Sequence, residues 1–213
     1  MYAFVSYQTK DKAVAGRVKV ILDAMKVQSF LAHEDIAVSE EWRIRILEEI
    51  ARVDIFFALL SQNYFSSPWC SQEFGIAAFR NVTIVPLSLD DTVPLGFGSH
   101  IQSRKIREPR NLAADLIGGI VRRDRSQAID MIIELIGESA SFDRANENMT
   151  LLAPYLQHAS RRQVLRLLQL ALDNNQVLGA YEAKNHLQPL LGDKKLLVPL
   201  GLRRSLERVW DRQ

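Results

Sequence analysis

Four short apolar runs, separated by three stretches with helical spacing, fill the first 87 residues. The runs fall at 2–6, 29–32, 53–60 and 82–87. Between the first two, Val14, Val18, Ile21, Leu22 and Met25 follow the i, i+4, i+7, i+8, i+11 rhythm of a helix with one buried face. A second helix is predicted over 41–52, burying Ile46, Leu47 and Ile50, and a third over 68–79. Strands joined through single helices need crossover connections, which make the sheet parallel and place helices on both of its faces. The run 54–60 has no polar alternation after Asp54, as expected of a strand buried on both sides.

After Leu87 the pattern loosens. Asp90, Asp91, Pro94 and the Gly96-Phe97-Gly98 turn predict a long irregular loop over 88–103, a fifth edge strand over 104–107 and a closing helix over 110–122. Beyond residue 124 no strand signal survives. Ile129, Ile132, Ile133 and Ile136 form one helical stripe, and further helices are predicted over 151–158, 161–173, 178–191 and 202–210. The expected organisation is an α/β domain over 1–122, with a five-stranded parallel sheet, and a small all-α region over 124–213. That region reads as a hairpin bundle or a solenoid-like stack.

Composition excludes several classes. Hydrophobic content of 47% with 24% charged residues is that of an ordinary globular protein. No apolar run approaches the ~20 residues of a membrane span, and the N-terminus carries no signal-peptide pattern. The lone cysteine, Cys70, permits neither an internal disulfide nor a cysteine metal cluster, so a reducing cytoplasmic home is the simplest expectation. Net charge is +2, and the basic pairs Arg122-Arg123, Arg161-Arg162 and Arg203-Arg204 are thinly spread. Nucleic-acid surfaces show denser stripes, so these arginines read as solvated helix faces.

Chemistry concentrates just past the 53–60 strand. Ser67 is a good helix N-cap and Pro68 suits the first helical position. Trp69 and Glu73 then lie one turn apart on one helix face, beside the carboxyl end of a buried strand, where open α/β sheets bind ligands. Position alone favours a structural carboxylate, set against the first turn of the helix with or without an arginine partner. Trp69 alone is more often core than ligand platform. Cys70 has no histidine placed to activate it and reads as a buried thiol. Rossmann, P-loop, zinc-protease and Gly-x-Ser-x-Gly signatures are absent, and the four histidines (33, 100, 158 and 186) are scattered in sequence.

Three stretches alter that balance. Phe4-Val5-Ser6-Tyr7-Gln8-Thr9-Lys10-Asp11 resembles the first signature box of Toll/interleukin-1 receptor (TIR) domains. Phe30-Leu31-Ala32-His33-Glu34-Asp35-Ile36 resembles the second box and its BB loop, and Trp69-Cys70-Ser71-Gln72-Glu73-Phe74 resembles the Trp-Cys-x-x-Glu segment of enzymatic members. The resemblance covers about residues 1–122 and implies a flavodoxin-like sheet.

The bacterial-type members that it resembles cleave NAD+ at the nicotinamide–ribose bond, giving ADP-ribose or a cyclic isomer in antiphage signalling. Carried over, the family's catalytic glutamate falls on Glu73. NAD+ is then substrate; neither metal nor cofactor is expected. Trp69 could stack on a flat ring of the substrate, Ser6 and Tyr7 should face the same crevice, and Lys10 could steer the pyrophosphate or pair with Asp11. Asp35 and Ile36 begin the BB loop, which in the family often helps complete a neighbour's site when copies associate; Trp42 follows it. This loop lacks the glycine or proline that many members carry. The helical region would assemble protomers or contact a partner or effector. Two rivals are a non-catalytic TIR adaptor acting by homotypic association, and an enzyme like the nucleoside deoxyribosyltransferases.

Overall fold

A computed structural model describes residues 1–32, 42–106 and 112–211. The chain divides into two compact units, Met1–Arg123 and Asp124–Gln213.

The first unit is built on strands β1 (Tyr2–Ser6), β2 (Gln28–Leu31), β3 (Ile55–Leu60), β4 (Thr83–Ser88) and β5 (Arg104–Lys105). All pairings are parallel, in the order β2-β1-β3-β4-β5. That is the flavodoxin-like order, with its switch point between β1 and β3. Helices α1 (Lys12–Ala24), α2 (Trp42–Arg52) and α3 (Pro68–Phe79) are the crossovers, and α4 (Leu112–Arg123) follows the last strand. All six residues of β3 are buried, as the unbroken apolar run requires of a central strand. Phe4, Phe56, Ala58 and Ile84 of one sheet face pack with Ile46 and Ile50 of α2 and with Cys70, Phe74 and Ala77 of α3.

One difference from expectation has a clear cause. Leu47 is 41% exposed, and the buried face of α2 instead carries Glu49 with Ile46 and Ile50. Glu49 is affordable there because Tyr2, Arg45 and Arg52 all bond its carboxylate, holding its pKa below the ordinary value against the effect of burial. The edge strand β5 is two residues long, and the predicted strand end at Arg107 and helix start at Arg110 lie outside the described residues.

The second unit is helical: α5 (Arg125–Gly137), α6 (Phe142–Leu152), α7 (Arg161–Asp173), α8 (Asn175–Leu178), α9 (Tyr181–Leu187) and α10 (Leu200–Trp210), with 3-10 turns at Ala153–His158 and Gln188–Gly192. Helix α5 packs on α6 and α7, α6 also on α9, and α7 also on α10. Helix α6 departs from the predicted pattern. Its sequence is mostly polar, and Ala145, Asn148, Met149 and Leu152 make up its buried face. Asn148 is tolerated because its amide donates to the Leu135 carbonyl and to Ser139 Oγ. Pro154 and Pro189 lie within the first two positions of the two 3-10 turns, splitting stretches that read as continuous helix.

Candidate active site

The β3–α3 connection is a series of tight turns. Tyr64 N–H donates to the Ser61 carbonyl and Ser67 N–H to the Tyr64 carbonyl. Ser67 Oγ then caps α3 by accepting from Cys70 N–H, with Pro68 opening the helix. Glu73 consequently sits in the second turn of α3, too far along for the dipole role that its position suggested. Among the described residues no arginine pairs with it. It faces the end of β1, where Ser6 Oγ donates to its Oε2 at 2.6 Å. Ser6 Oγ in turn lies 2.7 Å from the hydroxyl of Tyr64.

This cluster is buried. Glu73 is 1% exposed, and Ser6, Tyr64 and Cys70 are fully buried. Burial favours the neutral acid and pushes the Glu73 carboxyl up to about 7, although the Ser6 hydrogen bond favours the ion. Among the described residues its second oxygen, Oε1, has no hydrogen-bond partner. Burial pushes the Cys70 thiol up to about 11, the adjacent Glu73 adding to the rise. The thiol is therefore protonated at neutral pH and not a nucleophile.

The remaining expected residues do not all converge. Trp69 precedes Glu73 by one turn and is half-buried. Tyr7 is fully buried just past the end of β1. Lys10 is exposed and bonds Asn63 Oδ1 at 3.3 Å, while Asp11 accepts from Ser61 Oγ, so the two do not pair. Asp35 and Ile36 lie outside the described residues, as does the Trp42 side chain. Tyr64 was not foreseen. Its signal was a lone aromatic hydroxyl in the connection after β3, at the switch point of the sheet.

A cavity of about 310 Å³ opens elsewhere, around the C-terminal end of α3 and the amino end of β4, lined by Phe79, Val82, Ile84, Phe97 and His100 among others. Open α/β sheets bind ligands at the carboxyl ends of the strands, so the Ser6–Glu73 crest is the candidate site. Among the described residues no three His, Cys, Asp or Glu side chains are grouped to hold a metal, and no helix is long and apolar enough to cross a membrane.

The family model for the TIR domain matches residues 3–117, and the chain belongs to that family. A solved structure, the TIR domain of the Toll-related receptor TRR-2 from Hydra magnipapillata, is 14% identical, covering 58% of this chain and 97% of that one with a TM-score of 0.49. No curated protein matches the sequence.

Proposed function

We propose that the chain is an NAD+ nucleosidase, with Glu73 as the catalytic carboxylate. The observation that carries this reading is a glutamate buried at the switch point of the sheet, held among the described residues by one hydroxyl and by no cation, with its pKa near neutrality. Burying an ionisable group without a counter-charge is costly, and such perturbed groups concentrate where chemistry is done.

The C–N bond between nicotinamide and ribose breaks with both electrons going to nicotinamide, which leaves neutral. The ribosyl C1′ becomes an oxocarbenium-like cation, and the Glu73 carboxylate stabilises that charge. Water then adds and releases a proton to give ADP-ribose; attack from within the same molecule gives a cyclic isomer. Because nicotinamide is a good leaving group, the reaction needs no general acid. Trp69 stacks on a flat ring of the substrate, and Lys10 steers the pyrophosphate. Asp35, at the start of the BB loop, belongs to the substrate-binding set. The site must open to admit NAD+, and association of TIR domains, as in enzymatic members of the family, supplies the occasion. The protein acts in antiphage signalling in the cytoplasm, with the helical unit contacting a partner or effector.

The alternative, a non-catalytic adaptor that works by homotypic association, draws on the burial of Glu73, which leaves its carboxylate 1% exposed. Purified full-length protein, incubated with NAD+ at high concentration or under crowding and followed by liquid chromatography with mass spectrometry, separates the two. Expected is release of nicotinamide by the wild type and at least a hundredfold loss in Glu73→Gln, on the order of other lost electrostatic groups. No NAD+ loss under any assembly condition removes the enzymatic reading. Parallel incubation with deoxynucleosides tests the deoxyribosyltransferase-like chemistry.

A further inference from the structure

Ser6 has one hydroxyl proton and two close oxygen neighbours, Glu73 Oε2 at 2.6 Å and the Tyr64 hydroxyl at 2.7 Å. A carboxylate can only accept, so the Ser6 proton goes to Glu73 and the Tyr64 hydroxyl must donate to Ser6 Oγ. With Glu73 ionised, the chain therefore runs one way, from phenol to serine to carboxylate. Oε2 is committed to this chain, while Oε1 has no partner among the described residues.

We infer that Tyr64 is a positioning residue for Glu73, acting through Ser6: it orients the serine proton onto Oε2 and leaves Oε1 as the oxygen turned to the substrate. This deepens the NAD+-cleaving reading and rests on it for the word substrate. Three observations support it. Tyr64 and Ser6 are fully buried, so water does not compete for either hydroxyl. The Tyr64 backbone is pinned at both ends, to Ser61 and Ser67, and its ring stands edge-on to Phe65, so the phenol is held rather than mobile. Burial and the adjacent Glu73 hold the phenol well above its ordinary pKa, so it stays a donor throughout the range in which Glu73 titrates.

Few charges among the described residues compete for this role. Among the described residues, the titratable side chains that act on the pair are Cys70 on α3 and the two residues themselves. On neighbouring segments, Lys10 is bound to Asn63, Asp11 accepts from Ser61, and Glu49 of α2 is held by Arg45 and Arg52. A polarised chain strengthens each of its hydrogen bonds, so losing the phenol weakens the Ser6 bond to the ion even though Ser6 remains.

The test is a carbon-13 NMR titration of the Glu73 carboxyl in full-length protein labelled on glutamate, with Glu73→Gln assigning the resonance. Wild type, Tyr64→Phe, Ser6→Ala and the double variant are compared. Tyr64→Phe keeps the ring and removes only the hydroxyl. Its Glu73 midpoint is expected to rise by about half a unit, leaving about threefold fewer ionised molecules below the midpoint. Ser6→Ala should raise it by about one unit or more. Added to Ser6→Ala, Tyr64→Phe should change nothing further, because its path is already cut. An unmoved midpoint in Tyr64→Phe, or an equal shift with Ser6 absent, overturns the inference. Where the wild type cleaves NAD+, the acid limb of kcat follows the same shifts. A wild type that never consumes NAD+ removes the proposed function, while the titration still decides what Tyr64 does to Glu73.

Discussion

At the scale of single residues, Glu73 ties folding to pH. The unfolded chain releases this proton near its ordinary 4.5, whereas the folded protein holds it to about 7. The group's stabilising contribution is therefore full below pH 4.5 and lost as pH rises through 7, amounting to about 3 kcal/mol at most. Denaturant unfolding at pH 4.5 and pH 8 should show the wild type losing about 2–3 kcal/mol relative to Glu73→Gln, which has no proton to release. Parallel profiles would mean that Glu73 is not buried in this way. Cys70 gives a second check. Fully buried and with its thiol pushed up to about 11, it should resist alkylation at pH 7.5 and react only once the fold is opened by denaturant. Fast labelling of the native protein would contradict the packing of α3 on the sheet.

At the scale of elements, α3 was legible down to its ends. Ser67, Pro68 and the apolar positions after them act within a few residues of one another, and the helix spans the predicted 68–79. Helix α6 was not, because its polar sequence becomes helical through burial of Ala145, Met149 and Leu152 against neighbours that local pattern cannot see. Close approach decides where α4 sits. A Cβ on Gly119 would lie 2.8 Å from both methyls of Val85 on β4, so Gly119→Ala should destabilise the protein by about 1–3 kcal/mol through overpacking. In the second unit, Ser160 and Gln163 form a reciprocal capping box at the start of α7. Ser160→Ala should cost about 1 kcal/mol, read as a lower unfolding midpoint at an unchanged denaturant slope.

At the scale of the whole molecule, the proposed enzyme has a sealed carboxylate that only a rearrangement can expose. If association supplies it, turnover per chain should rise with protein concentration instead of staying constant. Initial rates over a hundredfold concentration range decide this; strict proportionality would locate the opening within one chain. What the sequence by itself determined is the order of strands and helices in the first unit, the parallel pairing of its strands, the family and the glutamate worth asking about. Periodicity, caps and short motifs carry that information locally. Only the tertiary structure decided that Tyr64 and Glu73 meet at Ser6, residues 58 and 67 positions away in the chain. It also decided that Glu49 is buried and that Lys10 goes to Asn63. The meeting at Ser6 depends on how the carboxyl ends of β1 and β3 are brought side by side, and burial and hydrogen bonding are properties of closed packing that no stretch of chain holds alone.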